Sequence, residues 1–249
     1  MQAPTSSPEY NRPSFVSEGP PNHRSRADFQ HGLHVGMEAL DFPLLDLEGQ
    51  TVRLSEFRKG KHLVLEFGCI TAPVFINDLG SLVRLQRRFQ DRGVVFVIIY
   101  AREAHPGAHY PAHRSLDQKL AHARDLNRLE KVDVPILVDS LDGQAHRAYG
   151  LQPSPVYVVR KDSVVVYKAS WLAPGELESL LEDMLESEDL KAKGERMTRQ
   201  VYSERLLPVR THYGVHERVF DRAGAGARED VKKAFGFDIV ELARKPTPI

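Results

Sequence analysis

The chain has 249 residues, 41% of them hydrophobic, with 34 basic and 34 acidic side chains, so it can bury a sizeable core at zero formal net charge. Balanced, interspersed charge excludes phosphate-led nucleic-acid binding, and no apolar run approaches the roughly 20 residues that span a bilayer. The single cysteine, Cys69, excludes an internal disulfide, and the opening MQAPTSSPEYNRPSF lacks the apolar run of a secretory signal, so a cytoplasmic protein is expected.

Residues 1–30 carry Pro4, Pro8, Pro13, Pro20 and Pro21 with little apolar periodicity, which predicts a disordered tail. The domain of residues 31–187 then opens on DLEGQTV, where Glu48-Gly49 supplies turn chemistry between two short alternating segments, a hairpin signal. Near-continuous branched and aromatic runs follow at 62–67, 94–100, 134–139, 155–160 and 163–169, the pattern of strands covered on both faces. Between them, Pro73 opens a helix with Ile76, Leu79, Leu82, Val83 and Phe89 on one stripe. A second helix starts with Ser115 and Gln118 at capping-box spacing and turns Leu116, Leu120, Ala123 and Leu126 inward. APGELESLLEDMLES is a third. The alternation predicts an α/β fold with a mixed central sheet flanked by helices and active groups at the carboxyl ends of its strands. Residues 188–249 read as a helical C-terminal extension of one or two helices, broken by glycine between Ala223 and Gly226.

Cys69 lies at such a strand end, ahead of a helix N-terminus that would favour a thiolate; equally, a free cysteine is among the most buried residue types. Glu103, His105 and His113 follow a buried strand, where loops carry function, and imidazoles near neutrality suit proton transfer. His105, His109 and His113 are spaced by four, but Pro106, Gly107 and Pro111 forbid the helix that would make the spacing a metal face, and His212 and His216 flank Gly214. No metal or other cofactor is therefore expected.

These segments resemble the thioredoxin superfamily and, within it, the iodothyronine deiodinases. FPLLDLEGQTVRLSEF is similar to the hairpin that opens redoxin domains. Phe67-Gly68-Cys69-Ile70-Thr71-Ala72-Pro73-Val74-Phe75 is similar to the deiodinase active-site segment, and Tyr100, Glu103, His105 and Pro106 in IIYAREAHP, with HRSL at His113 to Leu116, match its later signature. The resemblance spans roughly residues 35–185 and implies a thioredoxin-like fold. It also implies proton delivery and phenol binding by Glu103, His105 and His113. Tyr100 and Arg114 would contact substrate, and Pro155 in YGLQPSPVYVV would be the cis-proline facing the site. Thr71 would bond a reacting group, or cap the helix at Pro73. Ala72 stands where the family carries selenocysteine or cysteine, so against Cys-x-x-Cys both redox positions are apolar. Pro155 follows thioredoxin rather than deiodinase, and the segment between His105 and His113 is shorter than in vertebrate deiodinases.

The implied function is thiol-dependent reduction of a small halogenated aromatic or peroxide, with Cys69 the only thiol nucleophile. An external thiol would be the reductant, since no resolving cysteine exists. A homodimer is left open. The alternative is a redox-inactive binding protein that keeps the pocket, Ala72 marking the lost nucleophile; Ala72 could also replace a native cysteine or selenocysteine.

Overall fold

A computed structural model of the chain describes residues 10–15, 29–195, 203–207 and 211–244. Eight strands form one mixed sheet in the order β2-β1-β5-β4-β3-β6-β7-β8. They are β1 (Pro43–Leu45), β2 (Thr51–Arg53), β3 (His62–Gly68), β4 (Val94–Tyr100), β5 (Ile136–Val138), β6 (Val156–Val159), β7 (Val165–Ala169) and β8 (Ser203–Arg205). β3, β4 and β5 run parallel, while β6 lies antiparallel to β3 and β7 antiparallel to β6.

The apolar strands are covered on both faces, as their composition predicts. On β4, Phe96, Ile98 and Tyr100 face one cluster, with Val97 and Ile99 facing the other. The first cluster holds α2 (Pro73–Phe89), α3 (Leu116–Glu130) and α5 (Pro174–Ala192); the second holds α1 (Leu54–Arg58) and α4 (Gln144–Tyr149). Pro73 starts α2 where its missing N–H costs nothing. Ser115 caps α3 by accepting from the Gln118 N–H, while Gln118 Oε1 reaches back to Arg114 N rather than to the cap itself. Neither α1 nor α4 is evident in the sequence pattern, because each is barely a turn or two long and is held by packing.

Of the segment expected to form a disordered tail, residues 1–9 and 16–28 lie outside the described residues. Tyr10–Phe15 does not fit that expectation: Tyr10 is fully buried, its hydroxyl 2.9 Å from His146 Nδ1. Its ring is ringed by the Arg102, Lys119 and Arg147 cations at 5.2, 5.6 and 5.1 Å. One aromatic side chain with several long-range partners repays the ordering of a short, polar segment. The C-terminal extension also departs from an all-helical reading. It supplies β8, parallel to β7, before α6 (Tyr213–Ala223), α7 (Ala227–Phe235) and α8 (Ile239–Arg244). A three-residue charged strand at a sheet edge has no periodicity to read. The glycine link between α6 and α7 stands where predicted. No helix among the described residues is long and apolar enough to cross a membrane.

Beneath β3 a buried carboxyl has no partner. Both oxygens of Glu66 lack a hydrogen bond among the described residues, and burial, with Asp78 nearby, pushes its carboxyl well above the ordinary range. Burial likewise raises Asp78 to about 6. The unfolded carboxyl titrates near its ordinary, lower value, so between the two the folded chain holds the extra proton and stability falls as pH rises through that window. Asp78→Asn keeps an oxygen for the Asn77 amide, which donates to Oδ1. It is expected to raise stability by about 1 kcal/mol at pH 7.5, after discounting for solvent, and to change nothing at pH 4. Urea unfolding at the two pH values checks this.

Candidate active site around Glu103

The chain turns at the carboxyl end of β3, and the following loop meets the loop that leaves β4. Gly68 lies so close to the Phe75 ring that any side chain there would collide with it. The turn is thereby pinned against α2. Ala72 N donates to the Cys69 carbonyl at 3.2 Å and Ala101 N to the Gly68 carbonyl at 2.9 Å, joining the two loops by backbone.

Glu103 is the centre. Its Oε2 accepts from the Thr71 hydroxyl at 2.5 Å. Its Oε1 accepts from the Tyr100 hydroxyl at 2.6 Å and lies 3.1 Å from His113 Nε2 and 2.9 Å from His122 Nδ1. Thr71, Tyr100, Glu103, His113 and His122 are all buried. Burial alone would push the Glu103 carboxyl up, but the hydrogen bonds from His113 and His122 outweigh it and hold the group below the ordinary carboxylate range. Burial draws His113 down toward the neutral imidazole, against the pull of Glu103. Tyr100 is held far above the ordinary phenol range by burial and by the Glu103 charge, and its hydroxyl also accepts from Ile70 N at 3.3 Å.

Cys69 joins this group from one side. Its sulfur accepts from Ala104 N at 3.1 Å and lies 3.5 Å from Thr71 Oγ1. The chain sulfur, hydroxyl, carboxylate is therefore continuous. The sulfur points toward the β4 loop rather than into the sheet. It is only 1% exposed, and burial, then the Glu103 charge, push its thiol far up. The sulfur is thus held toward its protonated form and is joined to a carboxylate through one hydroxyl.

The other candidates sit elsewhere. Ala72 is at the N-cap of α2 and offers no side-chain bond. The cap that Thr71 was free to form is not made, because its hydroxyl is taken by Glu103 and by the His105 N–H at 3.2 Å. The His105 ring turns away from Glu103 to lie 4.6 Å from Phe15 and 5.3 Å from Phe220, where burial lowers it to about 3. Arg114 stands exposed at the start of α3. Pro155 is buried at the head of β6 and its carbonyl accepts from Phe67 N at 3.0 Å. The expected cis bond is absent: no peptide among the described residues is cis. The trans geometry runs directly into the antiparallel pairing of β6 with β3.

His105, His109 and His113 do not gather. His109 Nδ1 lies 3.2 Å from the Arg222 carbonyl, on the side covered by α6. The donor atoms that do converge belong to Glu103, His113 and His122, and these could hold a metal ion. His122 escapes motif reading because it is one residue short of the inward stripe on α3, and nothing in the sequence marks it until the helix is packed. The C-terminal extension roofs the neighbouring loop. Ala108 N and His109 N donate to the Ala225 and Ala223 carbonyls at 3.0 and 2.9 Å, and any side chain on Gly107 would strike the Ala223 carbonyl.

The family model for iodothyronine deiodinase matches residues 22–175. A thyroxine 5-deiodinase from Gallus gallus is 34% identical over 154 residues, 57% of this chain and 59% of that protein. A type I iodothyronine deiodinase from Xenopus laevis is 31% identical over 161 residues, 59% of this chain and 63% of that one. The chain therefore spans less than two thirds of the length of these curated relatives. Among solved structures, an uncharacterized conserved protein from Geobacillus kaustophilus superposes with TM-score 0.53 at 20% identity, covering 68% of this chain and 88% of that one. A thiol:disulfide interchange protein from Bacteroides sp. gives TM-score 0.50 at 16% identity, covering 62% and 91%. At those identities the likeness speaks for the fold alone, and the fold is thioredoxin-like.

Proposed function

The chain belongs to the iodothyronine deiodinase family, and from that premise we propose a thiol-dependent reduction of a small halogenated aromatic, with Cys69 as nucleophile and Thr71 and Glu103 as its proton relay. Family and fold together support a redox function. The observation that carries the finer reading is the path from Cys69 Sγ through Thr71 Oγ1 to Glu103 Oε2, at 3.5 and 2.5 Å. A thiol held protonated reacts only if its proton can leave as the sulfur attacks, and this path gives that proton a hydrogen-bonded route. The Ala104 N–H then stabilises the sulfur anion.

The Cys69 sulfur attacks the halogen as its proton moves through Thr71 and the Glu103 cluster, because a carboxylate held below its ordinary range does not keep a proton from a thiol held above its own. In the same step the carbon–halogen electron pair goes to the ring carbon, and that carbon takes the proton. Cys69 is left as a sulfenyl halide. One external thiol displaces halide and forms a mixed disulfide; a second returns Cys69 and leaves as the oxidised disulfide. The test is halide release from an iodinated phenol with dithiothreitol as donor, in the parent chain and in Cys69→Ser. Equal rates reject the proposal.

A second reading has its own observation. Ala72 and Phe75, at the two positions of a Cys-x-x-Cys, are both buried and apolar, and Cys69 is shielded from solvent. A redox-inactive member would keep the Glu103 cluster to bind a phenolic ligand without turning it over. Its discriminating result is saturable ligand binding with no halide released.

A further inference from the structure

We propose that Glu103 Oε1, His113 Nε2 and His122 Nδ1 form a binding site for a divalent cation of zinc type. The three atoms lie 3.1, 2.9 and 3.2 Å apart, one triangle with no intervening group. A tetrahedral zinc site with bonds of about 2.0–2.1 Å has ligand-to-ligand edges of about 3.3 Å, so a cation just above this triangle reaches all three donors. The donor chemistry selects the class. Two imidazoles and one carboxylate suit zinc and its transition-metal neighbours; calcium and magnesium prefer oxygen-only cages.

The surroundings leave the triangle to these donors. Tyr100 and Thr71 bring hydroxyls to the same carboxylate at 2.6 and 2.5 Å. The buried Lys119 ammonium donates to the Ser140 carbonyl at 2.8 Å and lies over the Tyr10 ring. Three protein ligands leave one position open for water or a small ligand, the arrangement of reactive rather than purely structural zinc sites. The cation would use Oε1 and leave Oε2 on Thr71. His122, which has the most exposed side chain of the three, opens the edge by which an ion enters.

The proposal does not rest on the redox reading, because it is read by binding without thiol or substrate. The full chain is freed of metal with a chelator and titrated with Co²⁺ alone, followed by visible absorption. One equivalent with intense tetrahedral bands is expected, displaced by Zn²⁺. His122→Asn should weaken the affinity by at least about 100-fold, beyond the loss typical of a group outside the ligand set. His109→Ala, an exposed control, should bind like the parent. If His122→Asn fails to fold, His122→Gln and the rise in parent Tm on adding Zn²⁺ read the same point. Absence of a tetrahedral band at millimolar Co²⁺, unchanged affinity in a folded His122 variant, or a loss confined to His109→Ala overturns the site.

Discussion

Glu103→Ala is expected to lower the stability of the chain by about 3–5 kcal/mol at neutral pH, the range for removing one partner from a buried polar cluster. The size follows from what is left behind. The Tyr100 and Thr71 hydroxyls, His113 and His122 all converge on this one carboxylate, and all four residues are buried, His122 alone keeping a small exposed edge. An alanine strands them in a dry pocket. Glu103→Gln keeps one oxygen acceptor but turns an N–H₂ toward a donor, so it should cost about half as much. Because the folded carboxyl sits below its unfolded value, the parent's contribution is present at neutral pH and is lost as pH falls through the acid range. Urea unfolding, with slope unchanged, is the measurement. A loss under about 1 kcal/mol would show that the cluster is solvated and not the anchor described here.

The second large effect concerns chemistry rather than folding. Cys69→Ser should reduce thiol-dependent halide release by at least about 1,000-fold, the scale of removing a nucleophile. Thr71→Val, which keeps shape but breaks the path between sulfur and carboxylate, should retain binding and lose turnover. Thr71→Ser should restore most of it. That rescue assigns the effect to the hydroxyl rather than to the methyl, and unchanged urea stability in Thr71→Val separates a relay from a structural hydrogen bond. Steady-state kcat and KM for the four proteins decide it. The account predicts changes in kcat with little change in KM.

The sheet was legible in the sequence because its strands are buried on both faces and read as unbroken apolar runs. Helices α2 and α3 announced themselves by Pro73 and Ser115. What escaped reading depends on distant partners. Thr71 reads as a helix cap before it reads as a site residue, and only Glu103, 32 residues on, shows that its hydroxyl is spent on a carboxylate instead. His122 is silent until α3 is laid against the β4 loop. Tyr10 and Phe15 sit in a proline-rich stretch whose composition predicts disorder, yet their rings lie in a cationic cage and beside His105. Composition reports the average tendency of a segment, and one buried aromatic can override it. The trans bond at Pro155 is the plain departure from what family resemblance implied.

The relay at Cys69 is the central claim, and native-state alkylation tests it most directly. The folded full-length chain is treated with iodoacetamide from pH 7 to 10 and the labelling of Cys69 is followed by mass spectrometry, beside urea-unfolded protein. An ordinary thiol levels off above about pH 8.5–9, where it is already ionised. With Cys69 raised by burial and by Glu103, the native rate should be slow yet still climbing at pH 10, and Thr71→Val should slow it further. A Cys69 that stays unmodified across that range while the unfolded chain labels readily would contradict the account and leave the redox-inactive reading in its place.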